Sequence, residues 1–451
     1  MNSVQSKRDS FSGKYGFIAA AAGSAIGLGN IWKFPYITGI YGGSAFIIVY
    51  LICILLIGLP IMLSEITVGR RAQKGIFGAY KTLAPGTPWF FSGYMGIAAA
   101  FLILSFYGVV AGWTMEYVVK AVTGTFSGKT PDEIGTMFGS FIGQPFKPLI
   151  WQLSFMALTC FIVIAGIKNG IEKYSKILMP ILLAILLLLC IRSVTLEGAS
   201  KGFEFLFSPD FSKLSGEAIL AALGHAFFSL SLGMGTLITY GSYVKKTENI
   251  APLAAHITIA DTVIALLAGI AIFPAVFAFG IAPSAGPGLV FVTLPNVFQQ
   301  MPLGYIFCIL FFFLLAIAAL TSSISILEVV VTHLVEDFKV SRKTATLATT
   351  LVITLFGIPC SLSFGALSEV TVFGSNFFDL ADHIASNILL PLGGLCISMF
   401  VGWKMAKKDI EDELSNNGKL KVSYLTPFLF LAKIVAPIAI TAVFLNKLQL
   451  I

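Results

Sequence analysis

The sequence predicts an all-α polytopic membrane protein: eleven transmembrane helices, arranged as a five-plus-five inverted repeat with discontinuous first and sixth helices. Three observations carry this. The chain is 57% hydrophobic and only 11% charged, a composition that soluble classes do not show. Apolar runs of about 20 residues, enough to cross a bilayer, recur along it. Two of those runs, five spans apart, hold Gly-x-Gly where an ordinary span would carry Leu, Ile and Val. The net charge of +7 invites a nucleic-acid partner. The basic residues flank apolar spans, however, so the partner expected is the lipid bilayer and no nucleic acid. The six cysteines lie in or beside apolar stretches without metal spacing and read as free, buried thiols.

Taken in order, a polar segment Met1 to Ser12 reads as a cytoplasmic tail and not as a cleaved signal peptide. Spans are expected at 15–38, 43–69, 89–120, 149–167, 171–192, 216–241, 252–281, 303–335, 343–361, 379–403 and 424–446. With the N-terminus inside, twenty of the 29 Lys and Arg fall on the inner side and six outside. This bias sets the N-terminus in the cytoplasm and the C-terminus outside. The chain then divides into a tail 1–14, a first five-helix repeat 15–192, an outer loop 193–215, a second repeat 216–403, an inner loop 404–423 and a last helix with the outer C-terminus 424–451. A second long outer loop is 121–148, and the Pro- and Gly-rich 282–302 is placed to fold back into a vestibule.

The first span contains Ile26-Gly27-Leu28-Gly29-Asn30 and the sixth Leu232-Gly233-Met234-Gly235-Thr236. Glycine loosens a helix by about 1 kcal/mol relative to Ala. Non-helical backbone survives in a membrane only where it is buried in protein or lines a cavity. Paired breaks in an inverted repeat place substrate and ion sites near the midplane. The plainer reading, that Gly-x-Gly only lets helices approach closely, stays open here.

Oxygen-bearing side chains suited to a hard cation stand in four spans: Asn30, Ser229, Asp261 and the triplet Thr321-Ser322-Ser323. Asp261 is the most telling, because a carboxylate in an apolar run must find a cation, a base or a proton. An isolated membrane hydroxyl more often bonds back to its own helix. The amides of Leu28 and Gly29 open the second half of the first span and suit a carboxylate. Tyr107 adds a hydroxyl, and Ile103, Phe228, Met234 and Ile326 would be apolar walls or plain core. Lys33 either snorkels to the outer surface or pairs with Asp382 above the site. No nucleotide-binding Gly-rich loop and no Cys/His cluster is present. The chain therefore does not read as an enzyme, and uphill transport would draw on an ion gradient.

The run from Ala22 to Pro35, the run Phe228-Ser229-Leu230-Ser231-Leu232-Gly233-Met234-Gly235 and Leu320-Thr321-Ser322-Ser323 resemble the neurotransmitter:sodium symporter family, above all its bacterial amino-acid branch. The resemblance covers nearly the whole chain and implies the leucine-transporter-like fold, alternating access and location in the plasma (inner) membrane. It implies two Na+ sites. One uses the Ala25 carbonyl, Asn30, Ser229, Asp261 and the substrate carboxylate. The other uses the carbonyls of Gly23, Ile26 and Ala318 with the hydroxyls of Thr321 and Ser322. The substrate is implied to lie against Ser24, Ala25, Leu28, Gly29, Ile103, Tyr107, Phe228, Ser229, Ser231, Met234, Ser323 and Ile326. Phe228 with Tyr107 resembles the aromatic lid, Lys33 with Asp382 the outer gate, and Arg8 with Glu336 the cytoplasmic gate. Gly170 and Pro180 resemble a bacterial device that lets the fifth span unwind.

Departures from the family pattern bear on function. Lys33 stands where Arg is usual and lacks the planar fork for a two-pronged contact. His225 stands where Gln is common and introduces a possible pH effect. Asp261 stands where many members have Asn. A fixed carboxylate there supplies the negative charge that animal relatives take from chloride, so no chloride requirement is expected. Ser24 is not the Asp that amine carriers use, which disfavours monoamines. Met234 replaces a bulkier Phe of leucine-preferring relatives, and its pliable thioether leaves room for a larger side chain. A hydrophobic or aromatic L-amino acid is the expected substrate. The alternatives are another small zwitterion or osmolyte and, from a different class, a channel or receptor.

Overall fold

A computed structural model describes residues 9–280 and 288–447. Among them the regular structure is helical throughout, apart from one isolated β-bridge between Val372 and Ser375. Among the described residues nine helices are long and apolar enough to cross a membrane: Ser44–Ala72, Phe90–Val122, Lys147–Ile164, Ile167–Val194, Ile250–Ala278, Gly304–Glu336, Arg342–Leu362, Phe377–Lys404 and Leu425–Asn446. A tenth span is the pair Lys14–Ala25 and Gly29–Ile40, bent by 46° at its break. The expected sixth span is also two helices, Gly216–Ser229 and Thr236–Gly241, each shorter than a membrane crossing. Each of these segments falls close to a run marked out by hydropathy.

The third and eighth spans, Phe90–Val122 and Gly304–Glu336, pack along each other at the centre of the molecule. The first half of the first span and the second half of the sixth pack on the eighth span. The connection 121–148 contains the helix Pro131–Ile142, started by a reciprocal Thr130–Glu133 capping box. Residues 193–215 contain Ser200–Phe207, which packs on the seventh span. Residues 404–423 hold a short helix, Lys407–Leu414. It is tied to the C-terminal end of the second span by the buried pair Arg70–Glu413 at 2.5 Å and by Arg71–Asp409 at 2.6 Å.

Seven π-helical stretches occur among the described residues, six within spans and one, Leu289–Thr293, in the connection between the seventh and eighth. Five of them, Gly29–Lys33, Ile54–Gly58, Leu289–Thr293, His383–Leu389 and Leu431–Val435, are each followed two residues later by a proline. Those prolines are Pro35, Pro60, Pro295, Pro391 and Pro437. The cause is local. Proline has no amide hydrogen and its ring crowds the carbonyl four residues back, so the preceding turn opens by one residue. Ile167–Glu172 and Phe400–Lys404 have no such proline.

Candidate functional site

Two groups of oxygen atoms face each other across the break in the first span. The first group joins spans one, six and seven. Asn30 donates from Nδ2 to Asp261 Oδ1 at 2.7 Å and to Ser229 Oγ at 3.2 Å, and its Oδ1 accepts from the Gly27 amide at 3.0 Å. Ser229 Oγ lies 3.0 and 2.9 Å from the two Asp261 oxygens. Asp261 is fully buried. Ala25 ends the first half-helix, and carbonyls in a last helical turn lack intrahelical partners.

The second group joins spans one and eight. Ser322 Oγ lies 3.4 Å from the Gly23 carbonyl, 3.1 Å from that of Ser24 and 3.5 Å from that of Ile26. Thr321 Oγ1 lies 3.1 Å from the Ala318 carbonyl and 3.2 Å from that of Ile317. Each hydroxyl is buried and bonded to backbone oxygen, an arrangement that a cation can take over without moving the helices. Gly23 matters here, since a Cβ on it would stand 3.3 Å from Thr321 Cβ and 3.2 Å from the sulfur of Met179 on the fifth span.

Between the groups lies a small cavity. Its walls include Ser24, Ala25, Leu28, Gly29, Ile103, Tyr107, Phe228, Ser231, Met234 and Ile326, ten of the twelve residues expected around a substrate. The other two stand back from it. Ser229 belongs to the Asp261 group, and Ser323 bonds Thr159 Oγ1 at 2.9 Å, facing the fourth span. The Leu28 amide donates to the Tyr107 hydroxyl at 3.3 Å. Ser231 Oγ donates to the Ser24 carbonyl at 3.0 Å, and Ser325 Oγ to Ser24 Oγ at 2.7 Å.

Above the cavity, Lys33 Nζ sits 4.3 Å from the centre of the Phe228 ring. No ion pair joins Lys33 to Asp382 among the described residues. Asp382 instead accepts from Ser386 Oγ at 2.7 Å, and both charged groups line the outer cavity. His225 is buried under this vestibule, stacked on Phe34 at 5.7 Å, with neither ring nitrogen hydrogen-bonded among the described residues. At the C-terminal end of the eighth span, Glu336 accepts from the Gly75 amide at 2.8 Å. Arg8, its expected gate partner, lies outside the described residues. Gly170 sits within the π-helical turn Ile167–Glu172, and Pro180 inside the helix Lys173–Val194 that follows.

Sequence reasoning missed Glu65. This fully buried carboxylate on the second span accepts from the Gly233 amide at 2.7 Å and so holds the break in the sixth span. The signal was available, since Glu65 is as isolated in its apolar run as Asp261 is. Ser325 and Tyr50 were also passed over. Tyr50 Oη reaches Ser229 Oγ at 3.4 Å.

The sodium:neurotransmitter symporter family model matches residues 8–133 and 141–450. An uncharacterized sodium-dependent transporter of Bacillus subtilis (strain 168), YhdH, is 45% identical over 97% of this chain and 97% of its own length. An uncharacterized sodium-dependent transporter of Haemophilus influenzae (strain ATCC 51907 / DSM 11121 / KW20 / Rd) is 38% identical over 99% of this chain and 100% of its own. The crystal structure of MhsT in complex with L-phenylalanine superposes with a TM-score of 0.91 at 50% identity, covering 98% of this chain and all of that one.

Proposed function

The chain belongs to the sodium:neurotransmitter symporter family, and from that premise we propose that it imports a hydrophobic or aromatic L-amino acid with Na+ by alternating access. It is a sodium-dependent transporter, not an enzyme. The observation that carries the finer reading is the pair of buried oxygen clusters flanking one small cavity at the two helix breaks. A zwitterion fits that arrangement. Its carboxylate meets the freed amides of Leu28 and Gly29, the Tyr107 hydroxyl and a neighbouring cation. Its side chain lies against Ile103, Phe228, Met234 and Ile326. MhsT, whose solved complex holds L-phenylalanine, supports the aromatic end of the range.

Two Na+ ions are assigned as co-substrates. One takes Asp261, Ser229, the Ala25 carbonyl and Asn30, whose amide must turn about χ2 to present Oδ1. The other takes the carbonyls of Gly23, Ile26 and Ala318 with the Thr321 and Ser322 hydroxyls. Asp261 supplies a fixed negative charge to the first ion, so transport proceeds without chloride. Counting the interrupted sixth segment as one crossing gives eleven spans, with the N-terminus in the cytoplasm and the protein in the cell membrane.

The test is Na+-driven uptake into proteoliposomes, with each of the twenty amino acids as competitor and with chloride replaced by gluconate. Competition by phenylalanine, tyrosine, tryptophan or leucine, unchanged in gluconate, is expected. Competition by none of the twenty points to another zwitterion or osmolyte. Uptake that collapses in gluconate refutes the role given to Asp261.

A further inference from the structure

We propose that the contact of Trp403 with Lys433, where the tenth and eleventh spans meet, is a binding site for an anionic glycerophospholipid, whose phosphate is taken by Lys433 and Lys404.

Lys433 is the one charged residue of the eleventh span, Leu425–Asn446. It follows Leu425 by eight residues, which is about 12 Å of helix in a hydrocarbon layer about 30 Å thick. A cation at that depth is costly until it finds a partner. Among the described residues no protein oxygen accepts from its ammonium, which lies over the Trp403 ring, 4.4 Å from the centre. Long side chains on a helix lean toward its N-terminus. The ammonium is therefore carried back toward the membrane face where the tenth span ends at Lys404.

The two spans are fitted to each other at this point. Pro437 has no amide hydrogen, so the Lys433 carbonyl lacks the donor that a helix supplies four residues on. Trp403 Nε1 donates to that carbonyl at 3.2 Å. Gly402 permits the approach, because a Cβ there would stand 2.8 Å from Lys433 Cα. The indole is thereby held against the ammonium with its single donor used, and it remains 63% exposed. What the fit leaves unanswered is the positive charge.

A lipid phosphate answers it. Its oxygens accept from an ammonium, and its place is the boundary of the hydrocarbon, which Lys433 reaches past Trp403. Lys404, exposed and last in the tenth span, brings a second cation to the same headgroup. Phe430, Ile434 and Ile438 recur every four residues on the eleventh span and are all exposed, so one helix face beside Lys433 offers a ridge to an acyl chain. Basic pockets between spans bind lipid headgroups by the same chemistry. A soluble phosphate ester has the oxygens but no chain for the ridge.

The test is native mass spectrometry of bound lipid together with thermal unfolding of the full chain in phosphatidylcholine nanodiscs, with and without phosphatidylglycerol. Wild type is expected to retain phosphatidylglycerol in preference to phosphatidylcholine and to unfold at a higher temperature with it. Lys433→Met is expected to fold in phosphatidylcholine at least as well as wild type, since it removes an unpaired cation, and to bind phosphatidylglycerol roughly fivefold more weakly. If the Met variant does not fold, Lys433→Gln takes its place and the same outcomes decide. Trp403→Phe keeps a ring against the ammonium and most of the affinity. Lys419→Gln, an exposed cation of the connection 404–423, should bind as wild type does. Equal affinity in wild type and Lys433→Met overturns the site, and the ammonium then only reaches water. An equal loss in Lys419→Gln and Lys433→Met also overturns it, in favour of a diffuse attraction to anionic surfaces. Stabilisation by glycerol phosphate equal to that by phosphatidylglycerol overturns the lipid as occupant.

Discussion

The breaks in the first and sixth spans look alike in sequence and are held open by different means. In the first span the interruption is short, between Ala25 and Gly29. It is bridged from within, since Asn30 accepts from the Gly27 amide one turn back, and the foreign groups that meet its backbone are neutral hydroxyls, those of Tyr107, Ser231 and Ser322. In the sixth span the interruption runs over 230–235, with Ser231 at φ 54°, Gly233 at φ 85° and Gly235 at φ 78°. It is held from outside by Glu65 of the second span. A short break needs a flexible residue and a nearby amide. A long one needs left-handed backbone and a foreign carboxylate. The first span is therefore suited to exchange partners as ions come and go, and the sixth to serve as its fixed counterpart.

Alanine at the paired glycines should break this comparison most visibly. At Gly233 the left-handed φ costs roughly 1–3 kcal/mol for any other residue. A Cβ there would also run into the Leu390 carbonyl, which is backbone and cannot step aside. Gly233→Ala is expected to lose most of its folded, monodisperse yield. Gly27 carries no such φ, and its Cβ would meet the Ser322 hydroxyl and the Tyr107 hydroxyl, ends of side chains that can turn. Gly27→Ala should fold and lose substrate binding. Size-exclusion profiles and thermal unfolding of the pair decide it, and equal yields would mean that the two breaks are equivalent after all.

Next in size is Glu65→Ala. It leaves the Gly233 amide buried without a partner, which costs about 1–3 kcal/mol. The expected result is a lower unfolding temperature together with weakened Na+-dependent uptake, although Glu65 is assigned to neither ion. A variant with wild-type stability and uptake would show that the sixth break holds itself.

Much of this was legible beforehand. Span positions follow from apolar runs whose length the bilayer fixes. The first-span residues Gly23 to Asn30 declare themselves because Gly and Asn are out of place in lipid. Asp261, Thr321 and Ser322 declare themselves for the same reason. What escaped has physical causes. The π-helical turns have the composition of α-helix, and only the proline two residues on betrays five of them. Glu65 stands out in its apolar run as Asp261 does, but its partner is the Gly233 backbone amide, which leaves no trace in the sequence. The Arg70–Glu413 tether joins residues 343 apart, a separation that no local pattern encodes. Ser323 was grouped with its neighbours, but one residue along a helix turns a side chain by about 100°, and it faces Thr159 instead.

Asn30→Ala probes the first break as Glu65→Ala probes the sixth. It removes the acceptor for the Gly27 amide and the donor to Asp261, so a modest loss of stability, about 1 kcal/mol, is expected. The larger effect should be on function. The Na+ concentration for half-maximal uptake should rise on the order of tenfold, because the first ion loses an oxygen and Asp261 loses its orienting partner. Na+ titration of uptake at saturating substrate measures this. A stability loss as large as that of Glu65→Ala, with unchanged Na+ dependence, would reverse the roles assigned to the two breaks.

The smallest expected effect lies where the two spans meet. Lys33 belongs to the outer half of the first span and Phe228 to the last turn before the break in the sixth, and the ammonium lies over the ring at 4.3 Å. An ammonium over an aromatic face contributes about 0.5–1 kcal/mol at a partly exposed site. Lys33→Gln should therefore shift the balance between closed and open vestibule by roughly two- to fivefold, seen as faster labelling of a cysteine placed in the outer cavity. Asp382→Asn should do less, because Asp382 is held by Ser386 and not by Lys33. If the order is reversed, the closing contact is the ion pair that the sequence suggests. The two broken spans would then be joined through the tenth, and not directly.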